Sequence, residues 1–165
     1  MNNKQYNIKS QTGFTLLEIM IAMVIFAVGM LGLAGIQALS LENTSSSYSR
    51  SQAVLLAYDM VDRMKANPTA GSNYAIAVGT NVATPAKLCN AVACNNNEMA
   101  TFDHWQWKTS LPVLLVSGQG QVVNTAGTSY TITVHWDEDR TGATGTTCPP
   151  AAATDLRCFQ LTTTL

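Results

Sequence analysis

Residues 19–36 form an uninterrupted apolar run of 18 residues. As a helix at about 1.5 Å per residue, the run covers roughly 27 Å, close to the hydrocarbon thickness of a bilayer. Beyond it, Ala53, Leu56, Ala57, Met60 and Met64 recur at helical spacing, while Asp59 and Arg63 form an i,i+4 pair on another side. The helical pattern ends at Asn67, because Pro68 restricts the residue before it. Residues 14–66 thus predict one helix of 53 residues, roughly 80 Å long, apolar all round at first and amphipathic later. Residues 43–51 are rich in serine and favour helix only weakly.

The remainder is shorter in period. Residues 68–97 are rich in Gly, Ala, Asn, Thr and Ser and read as a loop, with Tyr74, Ile76 and Val78 as a short alternating piece. Asn95, Asn96 and Asn97 are placed to cap a helix over residues 98–111, which Pro112 follows. Met99, Phe102, Trp105 and Gln106 would share one of its sides. After Gly118-Gln119-Gly120, residues 121–124 read as a strand and Ala126-Gly127-Thr128 as a turn. Tyr130, Ile132, Val134 and Trp136 then alternate with Thr131, Thr133 and His135, which marks a strand with one buried face. Residues 158–164 give a last strand. One long helix followed by a small group of strands is an α+β pattern.

Charge orients this arrangement. Lys4 and Lys9 precede the apolar run and no Lys or Arg recurs until Arg50, which places the N-terminus in the cytoplasm and the bulk of the chain across the membrane. Glu18 is the only ionisable residue between Lys9 and Glu42. A carboxylate at the centre of a spanning helix costs about 2.5 kcal/mol or more on insertion scales, less near an interface, and marks a function and a partner.

The 165 residues, 47% hydrophobic and 12% charged with net charge −1, suit one modest domain plus a membrane helix and show no basic excess for nucleic acid. Cys89, Cys94, Cys148 and Cys158 are an even number in an exported chain, so disulfides are expected. Three pairings are possible, and proximity favours Cys89 with Cys94 and Cys148 with Cys158. His104 and His135 could join the cysteines at a metal, but no CxxC or HxxxH spacing supports one. Asp137, Glu138 and Asp139 read as a solvated acidic turn before a calcium site. Trp105 and Trp107 read as packing residues before a stacking platform. No nucleophile elbow or phosphate loop is present, so the chain is not read as an enzyme, and no cofactor is implied.

A short basic leader, Gly13, Phe14, and Glu18 inside the start of the hydrophobic helix resemble the N-terminal class III signal of type IV pilins and pseudopilins. The resemblance implies a pilin fold, a long N-terminal helix packed on a small antiparallel sheet. It also implies cleavage after Gly13 by a prepilin peptidase and N-methylation of Phe14. Glu18 would meet the positively charged N-terminus of a neighbouring subunit during assembly. The stretch Leu56-Ala57-Tyr58-Asp59-Met60-Val61-Asp62-Arg63-Met64-Lys65-Ala66-Asn67 further resembles PilV-type minor pilins, as does the glycine-rich segment 29–37. Gly29, Gly32 and Gly35 lie at spacing three there, either as simple packing positions or as a soft section of the helix. Many pilins carry a proline in this region, and this chain has none before Pro68.

On that resemblance residues 1–13 are a leader, 14–66 the long helix with its membrane part at about 16–38, and 67–165 a globular domain whose C-terminal loop is closed by a disulfide. The implied partners are other minor pilins, the major pilin, the assembly platform and the prepilin peptidase. The implied location is the bacterial inner membrane, with the C-terminal domain periplasmic, and the pilus after assembly. The competing readings are a pseudopilin of a type II secretion system, a pilus-borne adhesin or DNA-uptake module, and a plain membrane-anchored periplasmic protein. An ordinary secretory signal cut near Ala38-Leu39-Ser40 fits poorly, because it gives Glu18 no role.

Overall fold

The computed structural model describes residues 13–165; the basic leader with Lys4 and Lys9 lies outside the described residues. Helix α1 runs from Leu16 to Ala66, 51 residues. Thr15 starts it, its carbonyl accepting the N–H groups of Glu18 at 3.1 Å and Ile19 at 3.3 Å while its hydroxyl also accepts that of Glu18. Glu18 sits in the first turn, where a negative charge complements the helix dipole. At the other end, Arg63 and Lys65 occupy the last turn and Pro68 prevents continuation.

The chain divides after Asn43 into two compact units. In the first, every described side chain is exposed and the most apolar window has a mean hydropathy of 2.6. A helix that is apolar on all sides has lipid or other apolar helices as its environment. The second unit, residues 44–165, has a conventional core.

In the second unit α1 buries Ala53, Leu56, Ala57, Met60, Val61 and Met64, the stripe that the helical spacing predicts with Val61 added. A short 3-10 helix, Pro68–Tyr74, turns the chain back. Helix α2 covers Asn96–Leu114 and opens on a capping box: Asn95 accepts the N–H groups of Asn97 and Glu98, and Glu98 accepts that of Asn95. Strands β1 (Gln119–Ala126), β2 (Ser129–Trp136) and β3 (Arg157–Thr164) form an antiparallel sheet in the order β1-β2-β3. Gly127 at φ 57° makes the β1–β2 turn, a backbone state that glycine enters freely. The sheet face carrying Val122, Tyr130, Ile132 and Val134 packs with α1 and with Trp107 and Leu111 of α2 into one cluster. Each large apolar side chain fully buried there contributes about 1.5–3 kcal/mol.

Trp107 joins the layers. Its ring is buried, its Nε1–H donates to Leu56 O of α1 at 2.8 Å, and it lies so close over Gly120 of β1 that a Cβ there would collide with the ring. This close approach is why the second position of β1 is a glycine.

α2 departs from expectation in two ways. α2 continues through Pro112 to Leu114 where the proline predicted an earlier end, a position that costs one hydrogen bond near the helix terminus. The inward side of α2 is Ala100, Asp103, His104, Trp107 and Leu111, with Phe102 also covered, in place of a stripe through Met99, Trp105 and Gln106. Two polar residues inside the buried stripe disguised it.

Candidate assembly interface

The residues singled out at the N-terminus lie together in the first unit. Gly13, Phe14 and Thr15 are non-helical, and Phe14 is 80% exposed, so the bond between Gly13 and Phe14 is presented on open chain. Phe14, Glu18, Ile19, Ala22, Met23 and Phe26 line one shallow apolar surface. Glu18 is its sole charge, and from residue 13 to Arg50 the sequence supplies no Lys or Arg to neutralise it. A carboxylate in apolar surroundings is costly unless it is paired with a cation or protonated.

In the second unit a polar network fastens α2 and the 3-10 helix to α1. Arg63 donates to Asp59 at 3.0 Å, Asp103 at 3.0 Å and Gln106 at 2.7 Å. Burial works against the Arg63 charge, yet bonds and charge attraction from Asp59 and Asp103 hold its pKa above the usual arginine value. The buried Tyr74 hydroxyl donates to Asp103 at 2.6 Å and receives Asn67 Nδ2–H at 3.3 Å; burial first, and the Asp103 carboxylate second, push its pKa up. Asn67 also donates to Asn96 O at 2.8 Å, and His104 Nε2 lies 3.0 Å from Tyr74 O. Burial holds His104 below the usual histidine value. Lys108 donates to Ala77 O and Gly120 O, at 2.9 and 2.6 Å, and burial lowers its pKa to about 8. Of this network only the Asp59–Arg63 pair was visible as spacing. Asp103 gave no signal, and Asn67 and Tyr74 read only as the end of the long helix and part of a short alternating piece.

Cys89 is bonded to Cys94 and Cys148 to Cys158, with Cα separations of 5.5 and 5.9 Å. The second bond closes the loop between β2 and β3. Inside that loop the carboxylates shape the backbone: Asp137 accepts from Thr141 N at 3.1 Å and Gly142 N at 2.8 Å, and Asp155 from Ala151 N and Ala152 N at 2.9 Å. Glu138 accepts Ser46 Oγ of α1 at 2.6 Å and pairs with Arg157 Nε at 3.2 Å, a tether the sequence did not reveal. Among the described residues no group of three or more His, Cys, Asp or Glu is arranged to hold a metal ion. His135 is fully buried between Gln119 of β1 and Cys158 of β3, and neither ring nitrogen has a hydrogen-bond partner.

Trp107 is core, whereas Trp105 is half-buried and packs against Phe102 at a centroid distance of 5.9 Å. The two tryptophans thus form no shared platform.

Comparison with known proteins gives two family matches. Residues 8–34 match the prokaryotic N-terminal methylation motif, and residues 35–105 match the type IV pilin Tt1218 family. No curated protein and no solved structure matches the chain.

Proposed function

We propose, for a chain that is a type IV pilin-like subunit with an N-terminal methylation motif and a structural rather than enzymatic part to play, that it serves as a minor pilin of the PilV type and helps to prime pilus growth. Residues 1–13 are the leader, cleaved after Gly13. The new amine at Phe14 is then methylated. Residues 14–66 are the assembly helix, and residues 67–165 with the end of that helix form the displayed domain. Before assembly the chain sits in the inner membrane, its C-terminal domain periplasmic; its partners are other minor pilins, the major pilin, the assembly platform and the prepilin peptidase.

The observation that carries this reading is Glu18, a lone carboxylate in the first turn of a helix whose apolar surface begins at the exposed Phe14. The N-terminal amine of a neighbouring processed subunit is the cation that this surface lacks. Such a pair is tolerable in an apolar core only when both members are present, so it fixes the axial register of one subunit on the next. The wording of residues 56–67 supports the PilV assignment within the class.

Glu18→Ala should leave cleavage after Gly13 unchanged and remove the chain from sheared pili. Full incorporation of Glu18→Ala would refute the register role. A pull-down of the wild-type chain separates the pilus from a secretion system: pilus subunits support the proposal, and type II pseudopilins replace it.

A further inference from the structure

β3 is an edge strand with an open outer side. It pairs with β2 through all its residues without a bulge, and among the described residues no strand lies on its other side. Leu165 N–H donates to Thr128 O at 3.0 Å. Because bonding alternates along an antiparallel ladder, Arg157, Phe159, Leu161 and Thr163 turn their main-chain groups toward β2. Those of Cys158, Gln160, Thr162 and Thr164 point away from the sheet, and the side chains of Gln160, Thr162 and Thr164 are exposed.

The opposite edge is treated differently. β1 is bulged between Asn124 and Ala126, and its Val122 exchanges two backbone hydrogen bonds of 2.9 Å with Ile76. Bulges and covering segments are the usual means of closing an edge to further pairing. β3 has neither, contains no proline, and its single charge, Arg157, is engaged by Glu138 and Asp139. The core is also unfinished on this side. Opposite the fully buried Ile132 and Val134 of β2, Leu161 and Phe159 of β3 are only partly covered, as is Leu165.

We infer that β3 receives an extended strand from a different subunit. The incoming segment is uncharged and roughly five to six residues long. It carries apolar side chains on the side that continues Phe159 and Leu161, and hydroxyl or amide side chains on the side that continues Gln160 and Thr162. Its backbone satisfies the outward groups of β3, and its apolar residues complete the cover over the core.

A second copy of this chain does not fit as the donor. Its β1 edge is held by Ile76. Pairing β3 with β3 about an axis normal to the sheet reverses the α1 stripe, residues 53–64, that packs on the sheet. Two chains anchored in one membrane by their N-terminal helices run the same way. The choice of donor therefore rests on the membrane-subunit reading above, whereas the open edge does not.

Amide hydrogen exchange tests this on the full chain, isolated in mild detergent from its own host with its partners bound and compared with the chain purified alone. Exchange at Gln160 and Thr162 should slow by about tenfold or more in the complex, with Leu161 and Thr163, already bonded to β2, changing little. Thr162→Pro removes an outward donor without touching the ladder to β2, and Gln160→Lys places a charge on the edge; both should release the partner, and Thr162→Ala should retain it. A benzophenone side chain at position 160 should cross-link to an extended segment of another subunit. Partners bound with Gln160 and Thr162 unprotected overturn the inference and leave the subunit reading standing. A cross-link to a second copy, or a chain recovered without partners, also overturns it. A chain never cut after Gly13 defeats the subunit reading, whatever the edge shows.

Discussion

Replacing Asp103 with alanine removes the one carboxylate that both Arg63 and Tyr74 address. Its side chain is 8% exposed and accepts Arg63 Nη1–H at 3.0 Å and the Tyr74 hydroxyl at 2.6 Å. Charge-assisted hydrogen bonds of this kind contribute about 1.5–3 kcal/mol each. The two losses are unequal. Arg63 is 25% exposed and keeps Asp59 and Gln106, so its share falls at the low end after allowing for solvent screening. Tyr74 is fully buried and keeps only a long 3.4 Å contact to Arg63 O as an outlet for its proton, so its share falls nearer the top. Together they predict a loss of about 4 kcal/mol, or a fall of about 15 °C in the thermal midpoint of the sheet-bearing unit. Thermal unfolding of the detergent-solubilised chain, followed by near-ultraviolet circular dichroism, reads this through Trp107 and Tyr74. Tyr74→Phe should cost less than Asp103→Ala, and the double variant should cost less than the sum, because the two residues share one bond. A midpoint lowered by under about 3 °C in Asp103→Ala, or strictly additive losses, would refute the claim that this network fastens α2 and the 3-10 helix to α1.

Acid should weaken the same unit. Burial holds His104 and His135 below the usual histidine value, so the unfolded chain takes up protons first as pH falls below about 6.5. The stability is present in full above that pH and is lost as pH falls toward the native pKa values; His135→Leu should flatten the midpoint–pH profile, and an unchanged slope would remove His135 from this account. Reducing Cys148–Cys158, or replacing both by serine, should cost about 2–3 kcal/mol from the freed loop, measured as a midpoint shift with and without reductant. Gly120→Ala should cost about 1–3 kcal/mol because its Cβ meets the Trp107 ring, and Trp107→Leu should recover part of that loss.

The legible parts of this molecule were those with a period. The apolar run, the stripe Ala53, Leu56, Ala57, Met60 and Met64, and the alternation from Tyr130 to Trp136 each follow from a single repeated geometric constraint, and each appears in the structure. Lone features were read less well. Asp103 and His104 face inward on α2 because Arg63, Tyr74 and the Tyr74 carbonyl satisfy them, and those partners lie 29 or more positions away in sequence. Local pattern therefore left Asp103 unread and His104 without a partner, and ran the apparent stripe through Met99, Phe102, Trp105 and Gln106. The tether from Glu138 to Ser46 spans 92 positions and joins two residue types that are usually solvated. At the N-terminus the position was reversed: Glu18 stood out in the sequence because it breaks an apolar run, and the structure adds the surface around it, from Phe14 to Phe26.

The central claim is that this chain is processed into a filament subunit whose N-terminus begins at Phe14 and answers the charge of Glu18. The mass of the N-terminal peptide, taken from the protein purified out of a host with its own prepilin peptidase, tests it most directly. A peptide beginning at N-methylated Phe14 is the predicted result. An intact Met1, or a start after Ser40, would contradict the claim and leave Glu18 as a membrane carboxylate without a partner.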